Sequence, residues 1–255
     1  MASPQGRLPL GYRPQRQFSP VQAATRAAQS YAQSVGLRHS TAGLGSLQVN
    51  PHRGFAIQQA YRGAEGAPEH PGIRQSYAAM RDETNAQYEH MTKPVEAGGM
   101  GIRHEVTPHD PYRGVGSGAH GSAQAMAHDI RHGRIQTMST EATGGHAFFS
   151  NEENDKFRAV HDVFGHAATG RGTTRHGEEA AFQSHVQMYS PAARPAMASE
   201  TRGQNSFLNF SPGGGFPDQT KKLIGLPDWA SRKGGMPAEP SPISAQQFEQ
   251  PRMFD

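Results

Sequence analysis

The scarcity of large apolar side chains is the feature that most limits what this chain can fold into. Leu, Ile, Val and Phe together make up 36 of the 255 residues, whereas Gly and Pro make up 49. Disorder becomes common when such apolar residues fall below about 20%, although a formal net charge of +3 is too small to hold the whole chain unfolded. A compact core is therefore expected over only part of the sequence.

Several classes of protein are disfavoured by what the sequence lacks. There is no apolar run near 18 residues, and Arg and Pro interrupt the first fifteen positions, so neither a membrane span nor a Sec-type signal is expected. The absence of Cys excludes disulfide scaffolds, Cys-ligated zinc, iron–sulfur clusters and Cys nucleophiles within this chain. A reducing compartment is compatible with this composition.

Charge is distributed unevenly. Residues 1–64 contain seven Arg and no acidic residue, a composition that favours weak, salt-sensitive contact with nucleic acid. The Arg residues are scattered, however, and few aromatic residues lie between them to stack on bases. We therefore expect a solvated, partly disordered tail first, and contact with nucleic acid as the alternative. The seven Arg residues of this segment are Arg7, Arg13, Arg16, Arg26, Arg38, Arg53 and Arg62.

Apolar periodicity and capping residues predict a mainly α fold with a small strand–helix–strand element and disordered tails at both ends. The predicted helices cover about residues 19–36, 51–62, 70–91, 122–132, 150–167, 175–190, 192–202 and 218–224, and the strands 101–106 and 134–139. Ser150 and Glu153 form a capping box, and Gly203 is predicted to end a helix.

These elements suggest four regions. We expect a disordered basic arm over 1–18, a helical region over 19–100, a metal-binding catalytic core over 101–230 and a disordered tail over 231–255.

Two histidines five residues apart carry the chemistry. On a regular helix, the directions of His161 and His166 differ by about 140°, whereas residues four apart differ by only about 40°. Both rings can bind one metal only if the helix distorts, or ends, near His166. Gly165 is where such a break is cheapest.

A third ligand must come from another segment. Glu200 is the preferred candidate, on a later predicted helix, and Glu178 and Glu179 are its competitors. Two His and one carboxylate with open positions is the arrangement of non-haem Fe(II) oxygenases, and Zn²⁺ accepts the same ligands.

The run His-Asp-Val-Phe-Gly-His resembles the iron-binding motif of bacterial phenylalanine hydroxylases and the wider aromatic amino acid hydroxylase family, over about residues 154–205. The resemblance implies a mainly helical catalytic core, Fe(II), O₂ and a hydroxylation, with His161, His166 and Glu200 as ligands.

The flanking residues depart from that family. Its Pro-Glu-Pro-Asp run is replaced by residues 154–158, and Thr201-Arg202-Gly203 stands where the family has Phe-Gly after the Glu. These differences count against the pterin cofactor and the amino-acid substrate. Residues 143–205 are more closely similar to bacteriophage-encoded proteins without an assigned function, which implies a location in the host cytoplasm or the virion.

Other polar residues are candidates for supporting roles. Asp162 is a candidate catalytic residue that orients a ligand imidazole, or else a solvent-facing carboxylate. Arg202 is a second catalytic candidate, and with Arg171 and Arg175 it would bind an anionic small-molecule or nucleotide substrate. The alternative for these Arg is a surface position or pairing with Glu178 and Glu179.

The leading hypothesis is thus a mononuclear Fe(II)-dependent oxygenase, and two others remain open. One is an HD-like metal-dependent phosphohydrolase, in which His146, the His161–Asp162 pair and Asp218 hold the metal. The other is a non-enzymatic bacteriophage structural or nucleic-acid-associated protein, in which Glu178 or Glu179 satisfies the two interior His without a metal.

Overall fold

The structure, a computed structural model, describes residues 18–63, 70–115 and 118–211. Both expected disordered tails lie outside these residues, except for residue 18 at the end of the first. The tails are 1–18 and 231–255, and the predicted helix at 218–224 also lies outside. Within the described residues the fold is mainly α with one small strand–helix–strand element, as the sequence predicts. The helices are α1 (Gln22–Ser34), α2 (Pro51–Gly63), α3 (Pro71–Thr92), α4 (Gly118–Arg131), α5 (Asn151–His161), α6 (Arg175–His185), α7 (Arg194–Ala198) and α8 (Gln204–Phe210).

The two strands, β1 (Arg103–Thr107) and β2 (Arg134–Met138), form a parallel pair joined by α4. Arg103 is opposite Arg134 and Thr107 is opposite Met138. A parallel pair needs a crossover connection, and α4 provides it. This confirms the predicted strand–helix–strand element.

Helix boundaries agree best with the sequence where a cap marks them. The Ser150–Glu153 capping box is present at the start of α5, and the His70 ring accepts from the Gly72 amide at the start of α3. The predicted stop at Gly203 is wrong: the chain passes through a π-helical turn (Ser199–Gly203) into α8. α6 also ends earlier than predicted, at His185, and a short 3₁₀ turn follows it.

Two hydrophobic clusters form the core. The first packs α1, α4 and β2 against α5 and the π-helical turn that follows α5. The second packs α2 and α3 against α6, α7 and the loop before α5. Each cluster contains residues from both sides of position 100, so the predicted helical region and catalytic core pack together through shared side chains. No helix among the described residues combines the length and the apolar character that a membrane crossing requires.

Candidate metal centre

His161 and His166 share one face because the helix changes type between them. α5 ends at His161, and residues Asp162–Ala167 form a π-helical turn in which the Ala168 amide donates to the Val163 carbonyl five residues earlier. Since this pattern aligns residues five apart, the two imidazoles lie 5.2 Å apart, centroid to centroid. The predicted distortion is therefore present, although it winds the helix more widely and does not end it.

Hydroxyl groups stabilise this turn. Ser184 donates to the Phe164 carbonyl at 2.7 Å, and Thr169 donates to the Gly165 carbonyl at 2.8 Å. A carbonyl in irregular helical backbone needs such a partner when it is buried. The helix ends at Gly170, whose φ of +73° suits Gly, so the backbone at Gly165 widens into the π-helical turn and does not end there. Gly165 instead lets α6 approach closely, since a Cβ there would lie 3.0 Å from the Ala181 Cβ.

Glu178 reaches the two His from the first turn of α6. The Thr174 side chain accepts from the Gly177 amide and begins this helix. The loop between Gly170 and Thr174 is short, so α6 starts beside the turn that holds His166. Glu178 Oε2 lies 3.5 Å from His166 Nε2 and 3.9 Å from His161 Nε2.

These three side chains are spaced as a metal-ligand set. Their ligand atoms all lie within 4.8 Å of one another. Two ligands at about 2.1 Å from one ion lie about 3.0–3.4 Å apart in octahedral or tetrahedral geometry, so small side-chain movements would close the set around an ion. The His166 side chain is 2% exposed and that of Glu178 20% exposed, which leaves access from the Glu178 side.

The buried backbone fixes the tautomer of His166. Its Nδ1 lies 3.0 Å from the Arg171 carbonyl, which can only accept, so Nδ1 carries the proton and Nε2 presents a lone pair to Glu178 in the neutral ring. The Arg171 guanidinium is itself bound to the carbonyls of Gly45 and Leu47, at 2.8 and 3.4 Å. Arg171 is therefore a structural anchor for this loop.

A chain of hydrogen bonds fixes the tautomer of His161. Gln87 Nε2 donates to the Met188 carbonyl, so Gln87 Oε1 accepts from His185 Nε2 at 2.6 Å. His185 Nδ1 then accepts from His161 Nδ1 at 3.2 Å, and burial holds the pKa of His185 well below its usual value, which keeps it neutral. The Nε2 lone pair of His161 thus also faces Glu178. Partners of this kind orient the ligands of metal sites.

Without a metal, a proton on His166 Nε2 lies between that ring and the Glu178 carboxylate. Burial alone would lower the pKa of His166, but the Glu178 carboxylate outweighs it and raises that pKa to about 9. Burial likewise opposes ionisation of Glu178, yet His166 and His161 hold its pKa well below the usual range. The same arrangement therefore fits two states. Either His166 and Glu178 form a charged pair, or a divalent ion replaces the proton between them.

Asp162 lies at the edge of this cluster. It is half-buried at the start of the π-helical turn, and burial raises its pKa despite the nearby His166 and His161. It is placed to influence the ligands electrostatically.

Glu200 lies elsewhere. Its carboxylate accepts from the Tyr77 hydroxyl at 2.6 Å and from Gln204 Nε2 at 2.8 Å, and its Oε2 is 3.4 Å from His146 Nε2. The preferred third ligand from the sequence is thus not the carboxylate beside His161 and His166. Its competitor Glu178 occupies that position because α6, and not the later π-helical turn, packs directly against the His-bearing segment.

Two of the remaining candidates, Arg202 and Glu179, form an ion pair near the candidate metal centre. Arg202 donates from Nε to Glu179 Oε2 at 2.9 Å and from Nη2 to Glu179 Oε1, and its guanidinium lies 4.3 Å from the centroid of the Phe182 ring. Arg202 is 2% exposed, so it is a buried, neutralised cation. The pairing of these Arg with Glu178 or Glu179, expected as an alternative, is present for Arg202.

The HD-like ligand set is divided in the structure. His146 Nδ1 accepts from the amides of Phe148 and Phe149, both at 3.1 Å, and its other nitrogen faces Glu200. Asp218 lies outside the described residues. His146 therefore belongs to the Glu200 cluster, separate from the three-ligand set.

Sequence reasoning missed the partners that orient the ligands, His185 and Gln87. One signal was present: His185 lies seven residues after Glu178, two helical turns along the same face. Gln87 gave none, because its contact depends on how α3 packs against α6.

No family model matches this chain, and neither a curated protein nor a solved structure is significantly similar to it.

Proposed function

We propose that this protein is a mononuclear metal-dependent enzyme that binds one Fe(II) through His161, His166 and Glu178 and carries out oxygenase or hydroxylase chemistry. The observation that supports it is the pair of imidazoles whose hydrogen bonds direct both Nε2 lone pairs at one carboxylate.

The donor set favours Fe(II) or Zn²⁺. Two imidazoles and one carboxylate leave positions for other ligands, as in non-haem Fe(II) oxygenases, and Zn²⁺ binds the same donors. The resemblance of the His-Asp-Val-Phe-Gly-His run to iron-binding hydroxylases favours Fe(II). When bound, the ion would supply O₂ activation.

The chain itself would orient the ligands and limit the access of water. The His185–Gln87 pair and the Arg171 carbonyl hold the rings, and Phe157 stacks on the His161 ring with centroids 6.0 Å apart. Glu178 faces an adjoining cavity, so a substrate would enter from that side. An iron-dependent oxidoreductase of this kind, encoded by a bacteriophage, would act in the host cytoplasm.

Metal content tests this proposal. We expect near-stoichiometric iron in protein purified without oxygen and supplied with Fe(II), and at least a tenfold loss of affinity in Glu178→Gln, which keeps the side-chain shape. Glu200→Gln is the matched control, because Glu200 is an equally polar, largely buried glutamate in the neighbouring cluster. Oxygen consumption by the iron-loaded protein with candidate substrates then tests the reaction class.

Loss of iron in Glu200→Gln but not in Glu178→Gln would contradict the ligand assignment. Zinc binding without oxygen consumption would retain the metal site and overturn the oxygenase chemistry.

A second candidate is a non-enzymatic bacteriophage protein in which the His166–Glu178 pair stabilises the interior. The raised pKa of His166, about 9, favours it, because an ion pair satisfies both groups without a metal. Protein that stays metal-free with excess Fe(II) and Zn²⁺ would support this candidate. Retention on DNA that is lost steeply with salt, and abolished by removing residues 1–17, would then indicate nucleic-acid association.

A further inference from the structure

A cavity of about 180 Å³ opens beside the candidate metal centre. It lies between α2, the segment before it, the first turns of α6, and α8, and Glu178 forms part of its wall. Ligand pockets for drug-sized molecules usually measure about 300–1,000 Å³, so this one suits a small molecule. A compound bound here would lie next to a metal ligand.

The wall of the cavity carries more cations than anions. Three Arg side chains line it, from three different elements, against two carboxylates, Glu178 and Glu179. Glu179 is already paired with Arg202, and Glu178 is directed at His161 and His166. A divalent ion at the centre would add further positive charge. The three Arg side chains that line the cavity are those of Arg53, Arg175 and Arg202.

Arg175 is the cation best placed to take a ligand. No carboxylate forms an ion pair with it among the described residues, and its buried Nε has no hydrogen-bond partner there. Its guanidinium lies 5.8 Å from the centroid of the Phe210 ring, so the planar group is supported on one side. The Arg175 side chain is half-buried and lines the cavity, so an oxyanion that enters would meet a cation with which no described carboxylate is paired.

The support for Arg175 is built into the packing of α2 and α8. The Phe210 ring covers Gly54, where any Cβ would overlap the ring. Amide and hydroxyl groups of Asn205 and Ser206 line the same wall and can donate further hydrogen bonds. The cavity thus combines a supported guanidinium with neutral donors.

We infer that this cavity binds a small oxyanion, a carboxylate- or phosphate-bearing molecule, with Arg175 as its principal contact and its remainder directed towards Glu178. The inference names the substrate class of the proposed enzyme and rests on the proposed function only for the second part, the placement next to a metal. Arg pairs with both kinds of oxyanion in a two-pronged geometry.

Calorimetric titration at low ionic strength tests whether the cavity binds an oxyanion. Inorganic phosphate and succinate are the separate probes, and glycerol is the uncharged control. Each probe is titrated into the full chain before and after metal loading. We expect at least one oxyanion to bind the metal-free protein, and Arg175→Gln to weaken that binding at least about tenfold. Arg103→Gln, on an exposed residue of β1, makes the same change in net charge and should leave it unaltered.

The probes separate the two sources of the oxyanion: tighter phosphate binding assigns a phosphorylated ligand and tighter succinate binding a carboxylate. If the protein takes up no metal but still binds an oxyanion through Arg175, the anion-binding inference is supported and the proposed function fails. Equal affinities of wild type and Arg175→Gln for both probes, or no binding of either, would overturn the inference even if the metal binds.

Discussion

At the scale of single residues, His185 and Gln87 decide how the candidate ligands are presented. Neither contacts Glu178, yet the amide of Gln87 sets the His185 ring, and His185 sets the proton of His161. Both side chains are fully buried. Their role is therefore positioning.

Replacing Gln87 with Leu should weaken metal binding about 10- to 100-fold, because His185 loses its acceptor and His161 its fixed tautomer. Competition with a chromophoric chelator measures this affinity. Gln58→Leu is the control: Gln58 is equally buried but bonds to Ser211. Equal metal affinity of the two variants would mean that the hydrogen-bond chain does not orient the ligand.

The choice between Glu178 and Glu200 shows where the sequence stops being informative at this scale. Both follow His166 on helices, and residue type does not separate them. What decides is chain connectivity, since the short loop from Gly170 to Thr174 returns α6 directly to the His-bearing turn. Glu200 lies beyond a further helix, and its neighbours Tyr77 and His146 come from distant segments that no spacing reveals.

At the scale of elements, the placement of α6 depends on close backbone contact. Gly177, one residue before Glu178, faces the Gly172 carbonyl so closely that a Cβ would overlap it. A backbone atom has little room to move aside.

Gly177→Ala should therefore lower the free energy of unfolding by about 3 kcal/mol. Urea denaturation followed by circular dichroism measures this. Gly63→Ala is the matched control, because a Cβ there meets nothing within 4 Å, and it should be neutral or slightly stabilising. A Gly177→Ala protein as stable as wild type would show that the loop before α6 yields freely.

The small sheet contains a group that responds to pH. His104 on β1 is half-buried, with Nε2 2.7 Å from the Thr137 hydroxyl and Nδ1 3.3 Å from the Tyr88 hydroxyl. Burial lowers its pKa, an effect that Asp155 opposes and Lys156 assists. Because the folded pKa lies below the unfolded value of about 6.5, this group contributes stability above that pH, which is lost as the pH falls.

His104→Gln should accordingly flatten the decline in unfolding free energy between pH 7 and pH 5. Thermal melts across this range, beside His109→Gln at an exposed position, test the point. A decline as steep in His104→Gln as in wild type would place the acid-sensitive groups elsewhere.

Helices that carry clear caps were predictable, and so was a distortion near His166, but the π-helical form of that distortion and the second π-helical turn were not. α3 agrees with the sequence within one residue, because the His70–Pro71 pair begins it, whereas α1 begins at Gln22, three residues after its predicted start, and ends at Ser34, before Gly36. The widening at Asp162–Ala167 depends on Ser184 and Thr169 reaching its carbonyls, and these contacts exist only in the folded protein. Gly203 was misread for the same reason, because tertiary packing carries the helix through it.

At the scale of the whole molecule, the candidate centre lies where the two hydrophobic clusters meet. Val160 and Phe164 belong to the first cluster, while Phe157 and Phe182 belong to the second. A metal bound by α5, the turn after it and α6 would therefore link both halves of the core.

Metal loading should raise the melting temperature. Ligand at 100 times its dissociation constant adds about 2.7 kcal/mol to the native state, which corresponds to roughly 5–10 °C for a chain of this size. Scanning calorimetry with and without chelator measures the shift, and Glu178→Gln should abolish it. An equal rise in Glu178→Gln would place the ion at another site.

The location of the ion itself tests the central claim most directly. Crystals of the iron-loaded protein, measured at the iron absorption edge, should show one anomalous peak about 2.0–2.2 Å from His161 Nε2, His166 Nε2 and a Glu178 oxygen. A peak between His146 and Glu200, or no peak in protein that has been given excess Fe(II), would contradict the account.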